Sequence, residues 1–137
     1  MDTLRAMLIM LPQMISDPVA EYTLKNPPVP TLYIRRIGYG PRGLPALALI
    51  HYGDERKREY RNPEMRFELD IASGIVRTFR PYYFANEYAN CEEWSVIPNG
   101  DNPRIDNTLP IKHRNFAAQW DRTFASHRYL EALKRQR

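Results

Sequence analysis

The side chains whose types and spacing suit acid–base chemistry are His51, Asp54, Glu55 and Glu64. A histidine that ends a buried strand beside carboxylates can have its proton affinity tuned toward neutrality, which is what a general base requires. One reading of the set is therefore a small metal-dependent hydrolase centred on His51 and Glu64. Against it, the chain holds 16 acidic residues, so chance groupings are expected. Nucleophilic catalysis has no anchor either, because no serine stands in a Gly-x-Ser-x-Gly elbow and nothing in the sequence marks a base for Cys91. No catalytic residue is assigned on this ground.

His113 and His127 share one helical face, but fourteen residues at 1.5 Å rise separate them by roughly 21 Å. Ligands of one ion must converge to about two ångströms from it, so these two cannot share a metal. Each reads as a boundary histidine beside Trp120. No metal site and no cofactor is predicted. Gly38, Gly40 and Gly43 invite a nucleotide-loop reading. Pro41 removes one of the N–H donors a phosphate cradle needs, however, and no amphipathic helix follows. The stretch reads as a hairpin loop.

Binding chemistry has two further candidate sets. Arg35, Arg36, Arg56, Lys57, Arg58, Arg61, Arg77 and Arg80 lie in sequence near Tyr33, Tyr52, Tyr60, Tyr82 and Tyr83. Cations interleaved with aromatics suit a DNA- or RNA-binding module, here using Arg56, Lys57, Arg58 and Arg61. The net charge of +4 is mild for that role. Residues 81–106 carry five acidic side chains and one basic, and residues 107–137 seven basic and two acidic. On the last helix Lys112, Arg114, Arg122, Arg128 and Lys134 point in different directions at about 100° per residue, the pattern of a solvated helix. The other set is Tyr82, Tyr83, Phe84, Tyr88 and Trp94, interspersed with Glu87, Glu92 and Glu93. Aromatics in such a setting, if turned outward, are the composition of a protein interface.

The elements that must position these groups follow from periodicity. A chain of 137 residues with 43% hydrophobic and 26% charged side chains fits one folded core. Leu4, Met7, Leu8 and Leu11 fall at helical spacing, with Asp2 or Thr3 as N-cap and Pro12 as the stop. Ser16, Asp17 and Pro18 repeat a helix-start signal and predict a second helix to about Leu24. After the prolines at 27, 28 and 30, residues 31–37 are strand-like, and residues 44–52 are apolar on both faces, as a covered central strand requires.

The charged stretch that follows Tyr52, up to Pro63, reads as a solvated loop. In residues 64–71 Met65, Phe67, Leu69 and Ile71 alternate with Glu64, Arg66, Glu68 and Asp70, placing one face on the core and the other in water. A three-residue turn over Ala72, Ser73 and Gly74 then pairs Ile71 with Ile75 and Phe67 with Phe79. Residues 82–94 have no clean period. Residues 95–97 could form a short last strand. Asn107 or Thr108 caps a closing helix that carries His113, Phe116, Trp120, Phe124 and His127 as its docking stripe.

The predicted fold is α+β in a single domain over residues 1–137: a helical N-terminal segment over 1–25, one antiparallel sheet of about four or five strands over 31–97, and a long helix over 108–135 packed on one face. The apolar run over residues 6–11 is too short for an export signal and far below the roughly twenty residues that span a bilayer. With one cysteine and no internal disulfide to form, a cytoplasmic location and no membrane partner are expected.

The strand ending in His51-Tyr52, the charged stretch after it, Asn62-Pro63-Glu64-Met65 with the alternating Arg66-Phe67-Glu68-Leu69, and the closing pattern FAAQWDRTF from Phe116 to Phe124 resemble a family of uncharacterised domains encoded by bacterial phages and plasmids. The resemblance covers roughly residues 31–130. Members of that family carry Asn-Gly-Asp in the loop and Asp-Pro-Glu-Met after it. Here Gly53-Asp54 remains and Asn62 replaces the acid, which weakens any role those acids have. The family brings no assigned activity, and the resemblance implies an accessory protein of a mobile element. The expected function is therefore non-enzymatic binding of a host- or element-encoded protein through Tyr82, Tyr83, Tyr88, Trp94, Arg56, Lys57, Arg58 and Arg61. Inhibition of a host defence complex is one concrete form.

Overall fold

The computed structural model describes residues 1–55 and 58–136. The elements run α1 (Asp2–Ile9), α2 (Gln13–Ser16), β1 (Glu21–Leu24), β2 (Leu32–Tyr39), β3 (Pro45–Glu55), β4 (Arg58–Ala72), β5 (Ile75–Asn86), β6 (Cys91–Trp94), β7 (Val96–Ile97), β8 (Arg104–Ile105), α3 (Leu109–Ser126) and α4 (Tyr129–Gln136). Strands β1 to β6 form one antiparallel sheet in sequence order, and β7 pairs with β8 in a separate ribbon. The α+β class holds, with six strands in the main sheet where four or five were expected.

The added strands come from segments whose local signals pointed elsewhere. Residues 21–24 are a strand, not the end of a second helix. The Asp17 carboxylate accepts the Val19 N–H at 3.0 Å in a local turn, and the chain then runs extended beside β2. Ala20 and Pro18 accept the N–H groups of Arg36 and Gly38 at 2.8 and 3.2 Å. Tertiary pairing thus overrides a helix signal made of only three residues. At the other edge Asn90, with φ 52°, turns the chain so that β6 returns along β5.

Among the described residues the charged stretch after His51 is also strand rather than loop. Tyr52 pairs with Arg61, Gly53 with Tyr60, Asp54 with Glu59 and Glu55 with Arg58, so β3 and β4 reach out as a long hairpin arm. The register shifts between Ile50 and Tyr52, opposite Asn62 and Pro63. A bulge of this kind admits a residue that has no N–H to give the ladder. The next turn has two residues rather than three. Ser73 (φ 54°) and Gly74 (φ 76°) both take the left-handed region, and Ala72 pairs with Ile75. Ile71 therefore meets Val76, and Leu69, not Phe67, meets Phe79. The Phe67 and Phe79 rings still touch edge to face, with centroids 6.2 Å apart.

The main core lies between one sheet face and the helices. Met65, Phe67 and Leu69 are buried as the alternation required, beside Leu47 and Leu49 of β3, and meet Leu4, Met7 and Leu8 of α1, Trp120 and Phe124 of α3 and Leu133 of α4. Burial of each large apolar side chain contributes about 1.5–3 kcal/mol.

The predicted single C-terminal helix is two helices, broken where Arg128 takes φ 59°. The break lets Tyr129 turn inward, where its hydroxyl donates to the Pro30 carbonyl. Neither helix start is capped as expected. The Asp121 carboxylate, from α3, receives the N–H groups of Thr3 and Leu4, and Asp106 receives those of Thr108 and Leu109.

Candidate functional site

His51 and Glu64 do not form one site. His51 is 6% exposed and points to the helices, with its ring 5.2 Å from that of Trp120 and 6.2 Å from that of Phe124. Its Nε2 lies 3.0 Å from the Tyr129 hydroxyl. That hydroxyl spends its proton on Pro30, so Nε2 carries the hydrogen and donates. Burial, aided by the nearby His127, pulls the His51 pKa down to about 4. This is a neutral core histidine. Its neighbour Ile50 faces the other way and pairs with Glu64 across β3 and β4.

That other face is not open water, as the alternation of β4 suggested. Glu64 and Glu68 are 4% and 0% exposed. Each is buried because it has specific partners, which a carboxylate in such a place requires. Glu68 accepts the N–H groups of Arg42 and Leu44 at 2.9 and 3.1 Å and the Arg42 guanidinium at 3.1 Å, so it organises the turn between β2 and β3. Glu64 accepts Arg61 Nη1 at 2.9 Å on one oxygen and Arg66 Nε at 2.6 Å on the other.

Arg61 continues the network to Glu87 and to the Tyr83 hydroxyl, which in turn donates to Glu92. Burial works against the Arg61 charge, but the bonds from Glu64, Tyr83 and Glu87 outweigh it and raise the pKa.

Above this network the face forms a groove of about 610 Å³. Its floor is Ala48 and Ile50, its walls include Arg66, Tyr82 and Trp94, and Tyr39 at the end of β2 and Pro98 after β7 form its rim. The register of β5 explains the wall. A shift between Arg66 and Phe67 leaves Tyr82 as an extra residue, so Tyr82 and Tyr83 both pack with Trp94 on this face while Phe84 returns to the helix side against Phe116.

Tyr82 and Tyr83 are thus 4% and 1% exposed, not outward-facing contacts. Of the aromatic set expected to meet a partner, Tyr88 is exposed at 66%, and Trp94 lines the groove. Arg66 stacks over the Tyr83 ring at 4.0 Å and lies 5.9 Å from that of Trp94.

The basic set disperses. Arg36 is buried and donates to the carbonyls of Met14, Ile15, Gly38 and Ala46. Arg61 is held among acids. Arg58 begins β4, while Arg56 and Lys57 lie outside the described residues. The residues that sequence reasoning missed are Arg66, Ile37 and Tyr39, the last two exposed at the groove. The signal for Arg66 was present in its place between two acids on one strand face, Glu64 and Glu68.

A second cleft, about 500 Å³, lies between β5 and α3. Glu93 accepts Lys112 Nζ at 2.7 Å and His113 Nε2 at 3.1 Å, while His113 Nδ1 is buried without a partner among the described residues. Burial pulls the His113 pKa down, with Glu93 opposing in part. Among the described residues no group of three His, Cys, Asp or Glu side chains could hold a metal ion, and no helix is long and apolar enough to cross a membrane.

Comparison with known sequences gives one family match, to the family described as Domain of unknown function (DUF6908), over residues 4–130. No curated protein and no solved structure matches the chain.

Proposed function

We propose that the chain, which belongs to the DUF6908 family, is a non-enzymatic binding protein that takes a segment of a partner polypeptide across the sheet face away from its helices. The observation that carries this reading is the groove itself. It sits on the sheet face the helices leave uncovered, it holds about 610 Å³ over a floor of Ala48 and Ile50, and Ile37 and Tyr39 stand at its rim 36% and 67% exposed. Large apolar side chains kept at the edge of a polar-walled groove are a feature of recognition surfaces.

The resemblance to phage and plasmid proteins extends the reading to a mobile-element accessory acting on a host- or element-encoded protein, with inhibition of a host defence complex as one form. The nucleic-acid reading draws on the net +4 charge, but Arg36 and Arg61 are engaged internally. The hydrolase reading draws on His51 and Glu64, whose side chains face opposite sides of the sheet.

The test is site-specific photocrosslinking of the full chain in a bacterial host, with the crosslinker at Ile37 and, as a control on α1, at Ile9. A polypeptide adduct at position 37, absent at position 9 and lost in the Tyr39→Ala/Trp94→Ala variant, is expected. Equal adducts at both positions, or nucleic acid as the adduct at 37, would overturn the reading.

A further inference from the structure

We infer that the groove reads a carboxylate: an Asp or Glu side chain of the bound polypeptide is held by the terminal nitrogens of Arg66 together with the Tyr82 hydroxyl. This rests on the binding reading above and names the chemistry of the occupant.

The unused charged hydrogen-bonding capacity of the groove is donor. Arg66 gives Nε to Glu64, and both its terminal nitrogens lack a hydrogen-bond partner among the described residues. Tyr82 is 4% exposed as a residue and lines the same groove, and its hydroxyl likewise has no partner among the described residues. The hydroxyl is not among the fully buried polar atoms, so the phenol keeps its ring in the wall and its O–H open to the groove, where a ligand acceptor can take the place of water. Burial pushes the Tyr82 pKa up to about 12, partly opposed by the Arg66 charge, so the phenol stays a neutral donor near that cation.

The charged acceptor, by contrast, is taken. Glu64 is the one acid among the groove's lining residues, and its two oxygens already serve Arg61 and Arg66. A cationic ligand therefore finds no free counter-charge; of the two lining cations Arg35 is paired with Glu21 at 3.6 Å, which leaves the terminal nitrogens of Arg66 as the charged donors turned to a ligand. One free guanidinium edge matches one carboxylate in charge and in its two-pronged shape.

The site is also built to hold that edge still. Glu64 fixes Arg66 from one side at 2.6 Å, and the Tyr83 ring supports the guanidinium from its face at 4.0 Å. A donor fixed before binding loses little freedom when the ligand arrives. The apolar floor of Ala48 and Ile50 suits the methylene groups that precede an acidic head.

The experiment titrates the full chain with phenylacetate and, separately, phenylacetamide, following indole N–H signals by NMR. The chain has two tryptophans, Trp94 in the groove and Trp120 in the core, so one signal reports and the other is an internal control. Phenylacetate is expected to move the Trp94 signal saturably with a millimolar-range constant, as a single small anchor allows, and phenylacetamide to bind about tenfold more weakly. Arg66→Lys, which keeps the charge but loses the fork, and Tyr82→Phe, which loses only the hydroxyl, are each expected to weaken phenylacetate about fivefold with the Trp120 signal unmoved.

Equal binding of acid and amide, or indifference to both substitutions, would overturn the inference, as would inorganic phosphate displacing phenylacetate at a lower concentration than it binds. The two proposals fail separately. A crosslinked polypeptide whose binding survives replacement of its acids by amides leaves the docking reading standing and removes this one. Phenylacetate binding with no polypeptide adduct at Ile37 does the reverse.

Discussion

Asp121 Oδ1 accepts the backbone N–H of Leu4 at 2.9 Å across 117 positions of sequence, and its other oxygen takes the N–H of Thr3 at 3.1 Å. The first turn of a helix leaves its N–H groups without intrahelical partners. In α1 no local side chain caps them, so a carboxylate from α3 does the work and ties the two ends of the chain together. Asp121→Ala is expected to cost on the order of 2 kcal/mol, between a lost cap and a lost buried charge-assisted bond. Denaturant unfolding measures it, and hydrogen exchange should show α1 opening first. Unchanged protection of α1 would contradict this account.

The buried His51 gives the chain an acid weakness. In the unfolded chain it titrates near 6.5, while in the fold burial and then His127 lower its pKa to about 4. The unfolded state therefore binds the proton first, so the stability this group contributes is complete above pH 6.5 and is lost as pH falls toward 4. The loss is roughly 3 kcal/mol. His113 is lowered in the same direction and adds to the slope. His51→Phe should flatten the fall between pH 7 and pH 4.5, since Tyr129 keeps its bond to Pro30. An acid limb unaltered by the substitution would assign the weakness to other groups.

Much of this was legible because periodicity reports burial. Met65, Phe67 and Leu69 announced a strand facing the core, and Leu4, Met7 and Leu8 a docked helix. What the pattern could not report was the reverse face of β4. Glu64 and Glu68 read as solvent-facing because a carboxylate's need for a partner is visible while the partner's position is not. Their partners come from Arg61, Arg66 and the turn at Arg42. For the same reason Tyr82 looked like a surface contact: a single-residue register shift, invisible in composition, turns it into the groove wall. The strand β1 escaped because its pairing with β2 is long-range, while its own residues carried a helix-start signal. His51 was singled out for its neighbours in sequence, and its neighbours in space are aromatic rings of α3 and α4.

Gly40 supports the groove rim through close approach, not through backbone freedom. A Cβ at this position would stand 2.2 Å from Glu68 Cγ and 2.7 Å from its Cδ. Gly40→Ala must therefore push aside a carboxylate that binds Arg42 and Leu44, and is expected to destabilise by about 1–3 kcal/mol. Gly53→Ala, whose nearest neighbour is an Asn62 amide at 3.3 Å, is the comparison and should cost less. Thermal unfolding of the two variants decides the matter, and equal melting temperatures would remove the role given to Gly40.

Arg128 is a place where the chain can be improved. Its φ of 59° is a conformation that costs a residue with a side chain about 1–2 kcal/mol, and it sits just past the end of α3, where glycine is the favoured residue. The strain persists because the bend delivers Tyr129 to Pro30 and His51, contacts that a continuous helix would forfeit. The Arg128 side chain is exposed and makes no hydrogen bond or ion pair among the described residues, so its removal loses little there. Arg128→Gly releases the strain but adds freedom to the unfolded chain, a cost of about 0.5–1 kcal/mol. The balance favours the variant by roughly 0.5–1 kcal/mol. Arg128→Val, β-branched in the same conformation, should lose stability instead. Denaturant midpoints that rise for glycine and fall for valine, with equal slopes, are the expected result. A fall for both would mean that the side chain, rather than the bend, is what this position needs.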